Sequence, residues 1–399
     1  MRILQLCHKP PNPPKDGGCI AMNNIGLGLM NKGHELKIIT IFTHKHDFEM
    51  DNLPESYLED TGIEGVFVDT KVNIVDAFSS LITQDSYNVS RFFSPDFDIK
   101  LSKLLRKKKF DVIHLESLFM APYIGTIRRH SKAALVLRSH NLEYIIWERI
   151  ASGTKNIAKK AYLKYLSHKL KEYELSVLSE VDGIAAISTS DQQKYRELGC
   201  DTPVINIPFG IDVANYQPAP PKKEISLFHL GAMDWRPNLE GVLWFVEEVW
   251  PLVSMRYPDL KLHLAGRGFS GDAFPNDLSN VVIHGEVEDA KQFMNDHSVM
   301  IVPLLSAGGI RVKIIEGMAL GKAIVSTSVG AEGIDFIPGQ HLEIANDPIQ
   351  FANAIIRLVE SPEAIEVMGK NARQQASSQF DNSGITDNLI SFYQKLINE

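Results

Sequence analysis

The 399-residue chain carries 41 Lys and Arg against 49 Asp and Glu, a formal charge of −8, which argues against general nucleic-acid binding. Hydrophobic residues make up 44% and charged residues 23%, as in an ordinary globular protein of two or three domains. Its three cysteines, Cys7, Cys19 and Cys200, are dispersed, with no CxxC or Cys/His cluster to mark zinc or a disulfide framework, so a reducing compartment is expected. The N-terminus has no long apolar segment of the leader type, and no run of about 18 apolar residues is present, so neither a signal peptide nor a membrane span is expected.

Taken in order, Ile3–Cys7 reads as a buried strand, Pro10–Gly18 as a loop ending in glycines, and Cys19–Lys32 as a helix stopped at Gly33. With the strand Leu36–Ile41 this is a βαβ unit without the GxGxxG of dinucleotide binders. Gly17 and Gly18 read either as a plain turn or as backbone that a ligand approaches closely. Gly65–Val68 is strand-like, and Asp69–Pro95 has no regular pattern. Asp96–Lys109 is a helix, Asp111–Leu115 a strand, Glu116–His130 helical and Ala133–Leu137 a strand. Arg138-Ser139-His140-Asn141-Leu142-Glu143 follows that last strand, where ligands gather in open α/β sheets. His140 there reads either as a cap or as a group that hydrogen-bonds a hydroxyl or supports proton transfer. His114, inside a strand, has the stronger structural reading.

Ala151–Lys171 holds six lysines and no acid on a helical pattern, which fits a solvated helix or a face attracted to anionic lipid. Gly183–Ile187 and Val204–Ile207 are strands around the helix Thr189–Leu198, and the proline-rich Pro208–Ser226 reads as a linker. The expected organisation is an N-terminal domain 1–207, a linker 208–225, a second domain 226–380 and a terminal helix 381–399. In the second domain, Ser226–Leu230, Leu260–Ala265, Val281–His284, Val299–Leu304, Ala323–Ser326 and Leu342–Ile344 read as strands. Leu239–Tyr257, Pro348–Glu360, Pro362–Ser378 and Phe380–Glu399 read as helical.

Ile301–Thr327 carries the chemistry: a strand, a small-residue turn through Ser306, Ala307, Gly308 and Gly309, an amphipathic helix Ile310–Leu320, and a second strand. A glycine turn feeding a helix N-terminus suits phosphate, because free N–H groups and the helix dipole point there. Arg311 and Lys313 are read into the first helical turn, where cations oppose the dipole, a local rule broken beside a glycine turn. Lys313 and Glu316, three apart, read either as a surface ion pair or as a base for diphosphate beside an acid for a sugar diol.

The stretch G-I-R-V-K-I-I-E-G-M-A-L-G-K resembles the donor-binding signature of the retaining GT4-like glycosyltransferases, glycosyl transferases group 1. The resemblance implies the GT-B fold: two Rossmann-like domains facing each other across a cleft, with the C-terminal helix crossing back to the first. It matches Glu316 to the second of two family glutamates spaced by seven residues, the one that holds the donor ribose. The first glutamate falls on Gly308, so the usual contact to the donor sugar is missing. Members commonly carry a Gly-Arg turn and a later Lys on the diphosphate; here Ala232 and Asn238 stand near those places, leaving Arg236, or Arg311 and Lys313, as the phosphate bases. The resemblance also implies donor contacts from Gly17 and Gly18 and, at the nucleobase, from Glu286 and Val287, with His140 at the transferred sugar; the amides of Gly308, Gly309 and Ile310 are expected at the diphosphate.

The implied activity is transfer of a hexosyl group from a UDP-, GDP- or ADP-linked sugar to a glycan or lipid-linked acceptor, with no cofactor. No Asp-x-Asp site for a metal is evident in a suitable loop. A cytoplasmic enzyme, peripheral on the membrane through 151–171, is the expected setting. An epimerase or hydrolase on the same fold, and a non-catalytic donor-binding scaffold, remain open readings.

Overall fold

Short apolar runs alternate with amphipathic segments, and each run becomes a parallel strand flanked by helices. A computed structural model describes residues 1–14, 17–44, 46–69, 89, 92–154, 156–220, 222–269, 274, 278–306 and 310–398. Met1–Gly210 with Ile385–Glu399 form one unit, and Ile211–Gly384 a second. No helix among the described residues is long and apolar enough to cross a membrane.

The first unit is built on seven parallel strands: β1 (Arg2–Cys7), β2 (Glu35–Phe42), β3 (Glu64–Phe67), β4 (Val112–Glu116), β5 (Ala134–Ser139), β6 (Gly183–Ala186) and β7 (Val204–Asn206). Their spatial order is β3-β2-β1-β4-β5-β6-β7, so the order reverses between β1 and β4. The register aligns Cys7, Glu116 and Arg138 across the three central strands. Helices cover both faces, as an all-parallel sheet requires. The helix Asn382–Asn398 belongs to this unit: Ile385, Leu389, Phe392 and Tyr393 pack with Ile3, Cys7, Ile25 and Ile38.

The second unit has six parallel strands: β8 (Ser226–Leu230), β9 (Lys261–Ala265), β10 (Val281–Gly285), β11 (Val299–Val302), β12 (Ala323–Ser326) and β13 (Glu343–Ile344). The order β10-β9-β8-β11-β12-β13 reverses between β8 and β11. Its core joins Leu227, Leu262 and Ile301 of the sheet to Val242, Phe245 and Phe351 of the helices.

Four local readings are corrected. Gly17 and Gly18 open the helix Gly17–Asn31 instead of closing a loop. Glu116 does not begin a helix: it ends β4 and is fully buried, and Ser117, at φ 85°, turns the chain into the 3-10 segment Leu118–Tyr123 before the helix Ile124–His130. Pro122, lacking an N–H, keeps that segment from being one regular helix. Leu239–Tyr257 is likewise divided into Arg236–Trp244, a π turn Phe245–Val249 and Trp250–Arg256; Pro251 supplies no donor there, and the Trp250 amide reaches back to the Phe245 carbonyl. The lysine-rich stretch is two helices, Glu143–Gly153 and Ile157–Leu178, the second capped by Asn156 on the Lys159 amide.

Candidate active site

The helix Val312–Ala319 follows β11 at the point where the second sheet reverses order, the place where open α/β sheets bind ligands. Its boundaries differ from the sequence expectation at the start: Arg311 is the extended N-cap residue, outside the first turn, and is 4% exposed. Gly321, at φ 65°, ends it in the left-handed conformation expected after a helix C-terminus.

Lys313 projects from the first turn toward the end of β8. Its Nζ donates to Asn238 Oδ1 at 2.8 Å and lies 3.5 Å from His229 Nε2. Asn238 in turn donates to the Ala232 carbonyl at 2.9 Å. His229 gives its Nδ1–H to the Ile301 carbonyl at 2.9 Å, so Nε2 faces the amine as an acceptor and the ring is neutral. Burial, then the charge of Lys313, holds His229 well below the usual imidazole range. Desolvation, with Arg311 adding like charge, brings Lys313 down to about 7. Gly231 makes this possible, since a Cβ there would sit 2.6 Å from Nζ and 2.7 Å from Asn238 Nδ2.

Lys313 is therefore not ion-paired with Glu316, which corrects the surface-pair reading. Glu316 accepts the Tyr216 hydroxyl at 2.8 Å through Oε1, and burial raises its carboxyl above the usual range although Tyr216 and nearby lysines oppose the shift. Tyr216 is fixed by the Lys291 amine 4.3 Å above its ring and by Arg373, which donates to its carbonyl at 2.5 Å. The sequence reading missed Tyr216, because a tyrosine in a proline-rich linker carries no periodic signal. The sequence reading also missed His229, which stands beside the carboxyl end of β8, and read Asn238 only as standing near the place of the family lysine.

Within the second unit, the described donor candidates Arg236, Glu286 and Val287 are not gathered with Lys313 and Glu316. Arg236 begins the helix Arg236–Trp244 with 86% of its side chain exposed, paired with Glu240 at 2.6 Å. Glu286 is exposed and Val287 half-buried just past β10, two strands from β8. Ile310 is half-buried directly before Arg311. Gly308 and Gly309 lie outside the described residues, as do Asp16 and most of Asp69–Pro95. Gly17 and Gly18 belong to the first unit, with His140.

In the first unit the corresponding reversal point holds a buried carboxylate. Glu116 Oε2 accepts from His140 Nε2 at 2.7 Å and lies 3.6 Å from Arg138; Oε1 accepts Gln5 Nε2 at 2.8 Å and lies 3.3 Å from His114 Nε2. Burial alone would raise the Glu116 pKa, but Arg138, His114 and His140 overcome it and hold the group ionised, well below the carboxylate range. His8, just after β1, donates Nδ1–H to the Glu116 carbonyl at 2.9 Å, and burial with His140 beside it pushes the ring down to about 3. Burial also lowers His140 despite its carboxylate partner. With those hydrogen bonds made, His8 Nε2 and His140 Nδ1 remain as acceptors, suited to hydroxyl donors. The loop bearing His140 is pinned by Tyr195, whose hydroxyl donates to Ser139 at 2.5 Å, and by Ser139, which donates to the Asn141 carbonyl at 2.9 Å. Ser117, held at positive φ beside Glu116, is local strain of the kind that accumulates at functional sites. Glu116 and His8 were missed by the sequence reading; both stand at the carboxyl ends of apolar strands, the signal that found His140.

The pattern of Glycosyltransferase Family 4 matches residues 20–215, and that of Glycosyl transferases group 1 matches residues 224–361. The chain is 24% identical over 405 residues to an uncharacterized 44.6 kDa protein in the cps region of Klebsiella pneumoniae, covering 98% of this chain and 99% of that one. It is 24% identical over 250 residues to the phosphatidyl-myo-inositol mannosyltransferase of Mycolicibacterium smegmatis, covering 60% of this chain and 59% of the other. The structure of Anabaena HepE in complex with UDP and glucose has the same fold, with a TM-score of 0.66 and 14% identity over 99% of this chain and 100% of that chain. Two Rossmann-like units, a terminal helix returned to the first, and family patterns over both halves place this chain among the GT4-like glycosyl transferases of group 1, with the GT-B fold.

Proposed function

We propose that the protein moves a hexosyl group from a nucleotide diphosphate sugar to a hydroxyl of a glycan or lipid-linked acceptor, with retained anomeric configuration, in cell-surface polysaccharide or glycolipid assembly. The observation that supports this reading most is the helix at the reversal point of the second sheet, which carries Lys313 held by Asn238 and Glu316 held by Tyr216, a cation of the kind that suits phosphate and an acceptor of the kind that suits a diol. The HepE complex with UDP and glucose, the mannosyltransferase relative and the relative from a cps region support the donor and product classes.

In this reading the diphosphate approaches Lys313, Arg311 and the amides before the helix. Lys313 is held by neutral partners, so an arriving anion meets a cation whose charge is not already cancelled, and preorganised electrostatics stabilise the leaving group. Glu316 accepts the ribose hydroxyls, and Tyr216 fixes its rotamer. His140 and His8 receive hydroxyls of a sugar, with Glu116 holding His140 in place. The acceptor oxygen forms its bond to the anomeric carbon as the bond to the diphosphate breaks on the same face. The acceptor proton passes to a diphosphate oxygen. Neither a metal nor a covalent enzyme intermediate is invoked.

The helix Ile157–Leu178 supports a membrane-surface role as well. Ile157, Tyr162 and Tyr165 are exposed at 85%, 46% and 38% among exposed Lys159 and Lys164. Salt-sensitive binding to anionic vesicles, reduced in a Lys159→Glu/Lys164→Glu variant, is expected; equal behaviour toward neutral vesicles would remove this part.

Incubating the purified chain with UDP-, GDP- and ADP-sugars and a panel of polyprenyl-linked and oligosaccharide acceptors tests the transfer reading. One donor should release its nucleoside diphosphate in an acceptor-dependent way, and NMR of the product should show the donor's anomeric configuration. Nucleotide binding without turnover on any acceptor would favour a donor-binding scaffold, and inversion would overturn the same-face mechanism.

A further inference from the structure

Three histidines that the donor reading does not use converge on the second unit. His263 lies on β9, His284 near the end of β10, and His297 follows the helix Ala290–Asp296 just before β11. They are separated in sequence by 20 and 12 residues, so no local motif announces them, and the sequence reading found no Cys/His cluster. In the fold, one ring nitrogen of each lies within 4.8 Å of those of the other two.

The surroundings aim these rings at one another. The pairing of β10 with β9 slips between Ile283 and Gly285, making His284 the extra residue of a bulge, a device that redirects a side chain. His263 Nδ1 and His284 Nε2 are 2.9 Å apart, sharing a proton in a hydrogen bond. The His263 and His297 rings stack with centroids 4.0 Å apart. Phe293 closes one side, with ring centroids 5.2 Å from His284 and 4.7 Å from His297. The Ser226 hydroxyl lies 3.1 Å from His297 Nδ1, which fixes that ring and leaves Nε2 for a ligand. The other flank opens on a cavity of about 990 Å³, whose walls include His263, His297, Asp296 and Asn280.

A purely aromatic stack would need only shape. It would not need three imidazoles, one of them exposed on an edge strand, to bring nitrogens together. We propose that His263, His284 and His297 bind one divalent transition-metal ion of the Zn²⁺ type, held by three imidazole nitrogens, with the fourth position open to solvent. Zn–N bonds of about 2.0–2.1 Å in a tetrahedral set place ligand nitrogens roughly 3.3 Å apart; here His263 Nδ1 and His284 Nε2 are 2.9 Å apart and the three ligand atoms lie within 4.8 Å of one another. Imidazole ligands favour zinc, copper, nickel and cobalt over magnesium or calcium. Such an ion would tie edge strand β10 to β9 and to the segment entering β11, and so would stabilise the second unit.

The test uses the full chain without a polyhistidine tag, stripped with EDTA and titrated with Zn²⁺ by calorimetry and with Co²⁺ by visible absorption. The wild type should bind one equivalent, with Co²⁺ bands of a four- or five-coordinate site, and Zn²⁺ should raise the unfolding temperature. His284→Gln alters an exposed ring and should weaken Zn²⁺ at least tenfold, and His263→Gln should act alike; both should abolish the Co²⁺ bands while far-ultraviolet circular dichroism stays unchanged. Absence of a saturable one-equivalent site, or a site of unaltered affinity in both variants, overturns the proposal. Nucleotide binding read alongside separates this result from the donor reading, since it should survive His284→Gln.

Discussion

The two sheets reverse strand order at equivalent places, yet the polar groups gathered there differ in kind. In the first unit a buried carboxylate, Glu116, faces Arg138, His114, His140 and Gln5, and its charge is answered from within the protein. In the second unit the Lys313 ammonium is met by an amide oxygen and a neutral imidazole, which solvate it without cancelling its charge. The first arrangement is a rigid support that orients two histidines. The second has charge left over for an anion. A shared topology sets where ligands gather, and the charge balance of the side chains decides what each place can do.

The largest expected effect breaks the first of these. Glu116→Gln leaves Arg138 buried opposite a neutral group, and loss of one partner of a buried pair costs about 3–5 kcal/mol. Hydrogen exchange should show the Met1–Gly210 unit opening more readily, while Ile211–Gly384 keeps its protection. The pH dependence has the same sign: the folded pKa of Glu116 is depressed, so its stabilisation is present at neutral pH and is lost only as acid brings the pH down through that lowered value. Acid unfolding of the first unit should therefore be delayed in the wild type relative to Glu116→Gln.

In the second unit Glu316→Ala removes the carboxylate proposed to accept the diol. A hydrogen bond to a charged group is worth roughly 1.5–3 kcal/mol, so nucleotide affinity should fall about 10- to 150-fold with little loss of stability. A smaller effect follows from Lys313, whose pKa is about 7 in the free protein. An anion binds the protonated amine, so affinity should be flat below that value and fall by about tenfold per pH unit above it, until the raised pKa of the complex is passed. Lys313→Gln should bind more weakly and lose this slope; a wild-type profile flat from pH 6 to 9 would remove Lys313 from the phosphate site. The smallest effect is expected of Tyr216→Phe, which deletes one donor to Glu316 and should cost about 0.5–1.5 kcal/mol of nucleotide binding.

The fold was legible because parallel strands buried on both faces appear as short apolar runs, and glycines such as Gly33 and Gly321 mark helix ends. The helix Val312–Ala319 stood out because Arg311 and Lys313 were read as cations opposing its dipole beside a glycine turn. Its start was displaced because Arg311 has the extended backbone of a cap, which charge pattern alone does not reveal. Glu116 was hidden by a periodicity that ran past the end of β4: the positive φ of Ser117 and Pro122 redirect the chain, and neither leaves an apolar signature. Tyr216 and the three histidines of β9, β10 and the segment before β11 meet their partners across distant parts of the chain, which only the folded topology brings together.

Calorimetric titration of the wild type, Lys313→Gln and Glu316→Ala with UDP, GDP and ADP at pH 6.5 tests the central assignment most directly. One nucleotide should bind the wild type with a single site and bind both variants at least tenfold more weakly. Binding of equal strength in all three proteins, or of none of the nucleotides to the wild type, would contradict the assignment of the donor site to this helix.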